Sequence, residues 1–407
     1  MQWLRSSIAK VKLNFKDNKL ENLLWVVNVV PSIFGFSLLK DKISAPFWIV
    51  NFFLLFYIYI LGSLWYLIFE AETASEYVTI YVNVAIIILA ANNASWWVTK
   101  RTSLRVVITL LNKNDSLVTG SDERRRRHAT MIRNIKNIIL IFYGGIYLSE
   151  IFNYLPNRVR VTQDYAMVPC VGIIRDPTAS PNREICMAML FVQECAMMVS
   201  VLNYQALLIV LIAHTAAMYE LLADELLELN HKGPDLLVDE LLELNHQGPD
   251  TTSDTEQSFQ TYIEQRLITF VDRHCYLIQI TGYLRQLYSI PIGIGFGYCA
   301  ICIILCSYLN SQDMVKFYPV LMYCVYLFFM FCYLGQRLIN AAEQFESAAY
   351  CCGWERFSVR NRRTVYNMLV LAQRPVALLA ADIIPINIDT FATTTQAMYK
   401  FATVVKV

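Results

Sequence analysis

Charged side chains are scarce in this chain of 407 residues: Asp, Glu, Lys and Arg supply 16% of it, against roughly 25% in soluble domains. The shortage argues against an ordinary soluble fold. An excess of one charge sign is missing as well, the formal net charge being +1, and nucleic acid drops out as a partner. No short apolar core with a cleavage site follows the basic opening MQWLRSSIAKVKLNFK, which excludes a secretory signal peptide and leaves the amino terminus in the cytosol. A disulfide framework is also lacking. Of eleven cysteines, seven (Cys186, Cys195, Cys299, Cys302, Cys306, Cys324 and Cys332) fall in or beside apolar runs, where Cys acts as a small hydrophobe. One bridge, Cys170 to Cys186, stays open. Histidine is rare, and although His231 and His246 recur in a tandem repeat, no Cys or His neighbours complete a metal site. Nothing in the sequence points to a metal or other cofactor. Inverted repeats with broken helices are absent, and Glu150 and Glu194, each near an outer helix end, make no catalytic pair, so a transporter or membrane enzyme finds no support.

What the chain does have is long apolar runs. Residues 43–69, 75–98, 134–155, 184–213, 283–309 and 314–335 are each long enough to cross a hydrocarbon core of about 30 Å. A more polar seventh run spans 386–407. The fold class is therefore an all-α membrane protein of seven transmembrane helices. Lys and Arg fix its orientation. The segment 1–42 carries seven, 99–133 nine and 337–363 five, whereas 70–74 has none, 157–183 four and 310–316 one. The basic side is cytosolic, which puts the amino terminus inside and the carboxyl terminus outside, opposite to a G-protein-coupled receptor. The organisation is then a cytosolic segment 1–42, helices one to six over 43–335 with cytosolic loops 99–133 and 214–282, a region 336–385, and a last helix 386–407.

A near-exact tandem repeat, LLADELLELNHKGPD followed by LLVDELLELNHQGPD, fills 221–250. Two copies are too few for a solenoid. The fourth helix reads on through AAMYELLADELLELN at helical spacing and is stopped by Gly-Pro. The second copy is a duplication in a tolerant cytosolic loop. PIGIGFG (Pro291–Gly297) mimics a phosphate loop but lies inside a span with no preceding strand, so its glycines serve helix packing.

The last helix, INIDTFATTTQAMYKFATVVKV, is rich in Thr, Gln and Lys. At about 100° per residue, Thr393, Gln396, Lys400, Thr403 and Val407 share one stripe, with Val404 beside it. Such a stripe either hydrogen-bonds within a bundle or lines water. With several chains around an axis, its terminal valines would form a constriction that gates by dewetting.

The carboxyl-terminal sixty or so residues carry a motif series: Ala349, Tyr350 and Trp354, a basic stretch, Gln373-Arg374-Pro375, then Pro385, Asp389 and Phe391, and a Tyr-to-Val close over 399–405. This series resembles the signature of insect odorant receptors. The resemblance implies a subunit of a tetrameric ligand-gated, non-selective cation channel. A variable odorant-binding subunit assembles there with an obligate co-receptor, in the plasma membrane of a sensory neuron dendrite. It implies a pore lined by 386–407 with its gate at Val404, and a cytosolic anchor built from roughly 214–230, 255–280, 336–356 and 358–374. The chain lacks the Val-Gln-Leu-Lys ending and the long extra loop of the co-receptor, so it resembles a tuning subunit. Gustatory-type chemoreceptor channels are the second branch, whose Thr-Tyr and Gln-Phe ending is missing. Four Lys400 side chains in one ring would repel a permeant cation, which favours a heteromer.

The resemblance further implies an odorant pocket in the outer halves of helices two, three, four and six. The candidates are Tyr77, Tyr81 and Val84; Gly145, Ser149 and Phe152; Met187 and Phe191; and Tyr323 and Tyr326. An apolar, aromatic pocket with few polar groups suits a small volatile molecule. The partners implied are that ligand, the co-receptor, permeant cations and the lipid bilayer.

Overall fold

Inside a bilayer each backbone N–H and C=O must find its partner within the segment, so the apolar runs fold as helices. The computed structural model describes residues 19–33, 45, 52–53, 55–69, 71–118, 122–160, 179–231, 252–307, 309 and 311–405. Helix α1 (Leu20–Ile33) is followed by α2 (Leu55–Phe69), which is π-helical as far as Gly62. Then come α3 (Ala74–Thr99), α4 (Arg101–Ser116) and α5 (Asp122–Ser149), the last continuing into a π-helical turn, Glu150–Tyr154. Three long helices, α6 (Asn182–His231), α7 (Thr252–Ser307) and α8 (Ser311–Tyr350), form the body. The chain closes with α9 (Val359–Ala372), a hairpin of β1 (Leu379–Ala380) and β2 (Ile384–Pro385), and α10 (Ile388–Val405). Five described helices, α3, α5, α6, α7 and α8, are long and apolar enough to cross a membrane.

The centre of the fold is α6, and its sequence says why. From Ala206 to Ala213 it is apolar on every face, and a helix apolar all round can only be satisfied in the interior. Its apolar window is 94% buried. The most extensive helix–helix interface is that of α8 with α6, and α1, α5 and α7 also pack on it. At 1.5 Å per residue the 50 residues of α6 reach about 75 Å, far more than a bilayer. The polar ends of α6, α7 and α8 therefore project together, and charge holds them. Glu225 takes Arg273 at 2.9 Å and Arg266 at 3.5 Å, while Glu220 accepts two hydrogen bonds from Arg337 at 2.9 and 2.8 Å.

Helix ends follow local rules. Thr73-Ala74-Ser75-Glu76 forms a capping box before α3: the Glu76 N–H donates to Thr73 Oγ1 at 3.4 Å and the Thr73 N–H to Glu76 Oε2 at 2.9 Å, so each satisfies an orphan donor of the other. Pro291 and Pro319 lie inside α7 and α8, as membrane helices tolerate. The segment 99–133, read from the sequence as a loop, is largely helical. Leu104, Val107, Leu110 and Leu111 are buried along one face of α4, and this amphipathic face docks on α7. The arginines 124–127 consequently ride on the first turns of α5, where Arg124 and Arg127 pair with Glu228.

The hairpin turns through Ala381 and Asp382, both in the left-handed region with φ of 52° and 57°. That conformation costs energy for residues with a Cβ, and the body of the fold supplies the constraint. Ser289 accepts from the Ala381 N–H through its carbonyl at 2.8 Å and from the Asp382 N–H through its hydroxyl at 2.6 Å. Gly293 leaves the space that Ala381 occupies, since a Cβ there would stand 2.9 Å from the Ala381 Cβ. On α8, a Cβ at Gly335 would lie 2.0 Å from the Ile386 carbonyl oxygen. Of the glycines in PIGIGFG, then, Gly293 admits the hairpin rather than another helix, while a Cβ at Gly295 or Gly297 would meet nothing within 4 Å.

Cys186 is disulfide-bonded; Cys170, its suggested partner, lies outside the described residues. Cys299, Cys302, Cys306, Cys324 and Cys332 are free and buried, in keeping with their reading as small hydrophobes. The second repeat copy, with His246, also lies outside the described residues; the first runs on as helix as far as His231.

Candidate ligand cavity and carboxyl-terminal helix

Buried apolar side chains form two clusters. The larger surrounds α6 and the projecting helix ends; the smaller joins Val78, Val82 and Leu89 of α3 to Cys186, Leu190 and Met197 of α6, Tyr298 of α7, and Phe317 and Val320 of α8. Tyr323 packs against both. At this seam lies a small cavity of about 50 Å³, lined by Leu89, Glu150, Met197, Met198, Val201, Leu202, Tyr298, Val320 and Tyr323. Its wall is thioether, aliphatic and aromatic, with Glu150 as its one carboxylate. Methionines adapt to irregular guests, and a lone polar group fixes orientation.

Polar residues behind the wall are paired. The Tyr323 hydroxyl donates to Gln205 Oε1 at 2.7 Å. Two turns of α5 away, the Tyr143 hydroxyl donates to Asn203 Oδ1 at 2.6 Å, and Asn203 Nδ2 donates to the Tyr147 hydroxyl at 3.2 Å. The Tyr143 and Tyr147 rings stack at 5.4 Å between centroids. A buried network of this kind fixes one arrangement of α5, α6 and α8, because each group it leaves unpaired would carry a desolvation cost. Glu150 itself belongs to the π-helical turn, a local widening that recurs at functional sites.

Of the sequence-predicted pocket residues, Tyr323 lines the cavity. Ser149 is half-buried one residue before Glu150, and Met187 is half-buried against the smaller cluster. Tyr326 stacks on Phe142 at 5.9 Å, toward the larger cluster. Tyr77, Tyr81, Val84, Gly145, Phe152 and Phe191 lie exposed on the outside of the bundle, Phe152 at 71%. Glu150, Met197, Met198 and Tyr298 were not named from sequence as pocket residues; a carboxylate inside an apolar run was the signal available for the first.

The polar stripe sits on α10. Its first turn is anchored: Asn387 Oδ1 accepts from the Thr390 N–H at 2.8 Å, and the Phe391 ring meets Phe328 at 5.3 Å and Phe329 at 5.4 Å. Beyond it the helix is mostly exposed. None of its described side chains is buried, and Thr393, Gln396, Lys400, Thr403 and Val404 are all exposed, Val404 at 74%. Val407 lies outside the described residues. Thr393 donates back to the Asp389 carbonyl and Thr403 to the Lys400 carbonyl, both at 2.8 Å, so these hydroxyls are satisfied without a neighbouring helix.

Electrostatics away from the membrane runs centre on Asp115 near the end of α4. Burial raises its carboxyl, but His214 and then His128 outweigh burial and hold it well below the ordinary carboxylate range.

With this geometry in view, comparisons with known proteins agree on one group. A family model described as 7tm Odorant receptor matches residues 78–399. Odorant receptor 67a of Drosophila melanogaster is 23% identical over 142 residues, covering 34% of this chain and 35% of that protein. Odorant receptor 19a of the same species is 26% identical over 144 residues, covering 34% and 37%. These alignments thus span about a third of the curated relatives' length. Among solved structures, the insect olfactory receptor OR5 from Machilis hrabei superposes with a TM-score of 0.73 at 15% identity, over 95% of this chain and 98% of that one. The same receptor in complex with eugenol gives 0.68, over 95% and 97%. At such identity the likeness speaks for the fold.

Proposed function

Since this chain belongs to the odorant receptor family, matched over residues 78–399, we propose that it is the ligand-tuning subunit of an odorant-gated, non-selective cation channel, assembled with a co-receptor as a heterotetramer. It is a multi-pass membrane protein. In this reading it occupies the plasma membrane of a sensory neuron dendrite, amino terminus inside and carboxyl terminus outside, with 336–385 and the projecting helix ends as the cytosolic anchor.

The observation that carries the proposal is α10, a helix of 18 residues with no described side chain buried. A polar-striped membrane helix uncovered by its own chain calls for neighbours from other subunits. Four such helices around an axis would turn Thr393, Gln396, Thr403 and Val407 toward water, with Val404 as the constriction. Lys400 is then tolerated in one subunit among others that lack it. The cavity at Tyr323 and Glu150 is the site for a small volatile ligand, with Met187, Ser149 and Tyr326 around it. Tyr77, Tyr81 and Val84 on α3, Gly145 and Phe152 on α5 and its π-helical turn, and Phe191 on α6 are exposed and do not line this cavity. Binding shifts the population toward an open gate. The eugenol bound to the Machilis hrabei receptor makes phenolic odorants a natural first panel.

The test is whole-cell current during an odorant panel, with this chain expressed alone and then with a co-receptor. Current that requires the co-receptor supports the tuning-subunit reading. Ligand-gated current from the chain alone makes it a homomeric channel and overturns the argument from Lys400. Surface-expressed protein that binds odorant but never conducts overturns the channel reading.

A further inference from the structure

Away from the cavity and α10, three side chains from three helices converge. Asp115 lies in the last turn of α4, His128 in the second turn of α5, and His214 about two-thirds of the way along α6. One ligand atom from each lies within 4.8 Å of the other two. Asp115 Oδ2 is 3.2 Å from His214 Nε2, and Asp115 Oδ1 is 3.4 Å from His128 Nε2. We propose that Asp115, His128 and His214 form a binding site for a divalent zinc-like cation that staples α4 and α5 to the central helix.

Three observations support the site. The first is spacing. With metal–nitrogen and metal–oxygen bonds of about 2.1 Å, the edge of a tetrahedron is about 3.4 Å; each imidazole stands close to that distance from one carboxylate oxygen, and one ligand atom from each of the three residues lies within 4.8 Å of the others. The second is satisfaction. Asp115 Oδ1 and His128 Nε2 are buried and face each other as an ion pair at 3.4 Å, without a well-aligned hydrogen bond to any group. Buried groups held by so long a contact are incompletely satisfied, and a cation between them engages both. The third is burial: the His214 side chain is fully buried, with Asp115 at 13% and His128 at 18% exposure, so water competes weakly for the ion. Adjacent Asn114 is also buried with neither amide atom bonded. Two imidazoles and one carboxylate are the donors that zinc accepts, and three protein ligands leave the fourth position for water.

The site is stated for the chain alone and does not depend on the channel reading. Its test uses the full-length protein, stripped with chelator and reconstituted in nanodiscs. Titration with Zn²⁺ should show one ion per chain, and zinc should raise the melting temperature, because it binds the folded state. Substitution of Co²⁺ should give the intense visible spectrum of a tetrahedral site. Asp115→Asn and His128→Ala should each weaken zinc binding at least tenfold and abolish the zinc-dependent rise in Tm, while His231→Ala leaves both intact. No uptake by the wild type, a weak octahedral cobalt spectrum, or equal binding by His128→Ala would overturn the site. The wild-type cobalt spectrum decides the matter even where a variant fails to fold.

Discussion

Helices α6 and α10 both belong to this membrane fold, yet they are opposites. The apolar window of α6 is 94% buried within its own chain, whereas α10 has no described side chain buried at all. Composition explains the difference. A helix that is apolar on all sides is driven to the centre of whatever it folds with, while one that carries Thr, Gln and Lys along a stripe must keep that stripe on water or on another polar surface. One helix organises a subunit, and the other is presented by it. Stability should therefore be concentrated around α6 and, in the proposed channel, sensitivity of conduction around α10.

The largest break in that comparison should come from the carboxyl-terminal end of α6. Glu225 and Arg273 are each 1% exposed and meet at 2.9 Å. Glu225→Gln leaves Arg273 buried without its counter-charge, a loss of about 3–5 kcal/mol, read as a collapse of melting temperature and of surface expression. Second comes Gly335→Ala, whose added methyl group meets the Ile386 carbonyl at 2.0 Å. Overpacking of this kind costs about 1–3 kcal/mol; the melt should drop by less than for Glu225→Gln, and ligand-evoked current should fall more than the drop in folded protein accounts for. Tyr323→Phe removes the hydrogen bond to Gln205, worth about 1 kcal/mol. A modest loss of Tm with a displaced odorant dose–response curve is expected, and an unmoved curve would separate the cavity from ligand recognition. Smallest in stability are Val404→Ala and Lys400→Gln, each within about 0.5 kcal/mol of wild type as for exposed positions. Their effect belongs to the current: basal leak for the first, altered ion selectivity for the second. A large loss of Tm from either would mean that α10 is packed within its own chain, and the contrast with α6 would fail.

Much of the fold was legible because its signals are periodic or compositional. The apolar runs, the polar stripe of α10 and the reading of α6 on through ELLADELLELN depend on spacing alone. The face that a residue presents is another matter. Tyr77, Tyr81 and Val84 share one side of α3, but α3 is apolar on most sides, so its sequence holds little to say which side meets α6. Segment 99–133 was read as a loop because charge dominated its average, although Leu104, Val107 and Leu111 recur at helical intervals. The Asp115, His128 and His214 group unites positions 13 and 86 residues apart along the chain. Only tertiary packing brings such positions together, whereas the His231 and His246 pair is visible in the sequence through its repeat.

The hairpin at Ala381 and Asp382 ties the base of α10 to Ser289 of α7, while Gly335 and Phe328 hold it to α8. Mechanically α10 resembles a cantilever: clamped at its base and largely exposed along the rest. Val404 stands 13 residues beyond Phe391, about 20 Å up the helix. A tilt of roughly 5° at the clamp therefore moves the tip by roughly 2 Å over that length, about the size of a methyl group. A small slip between α7 and α8 is thus geared up into a displacement large enough to matter at the constriction of the proposed pore.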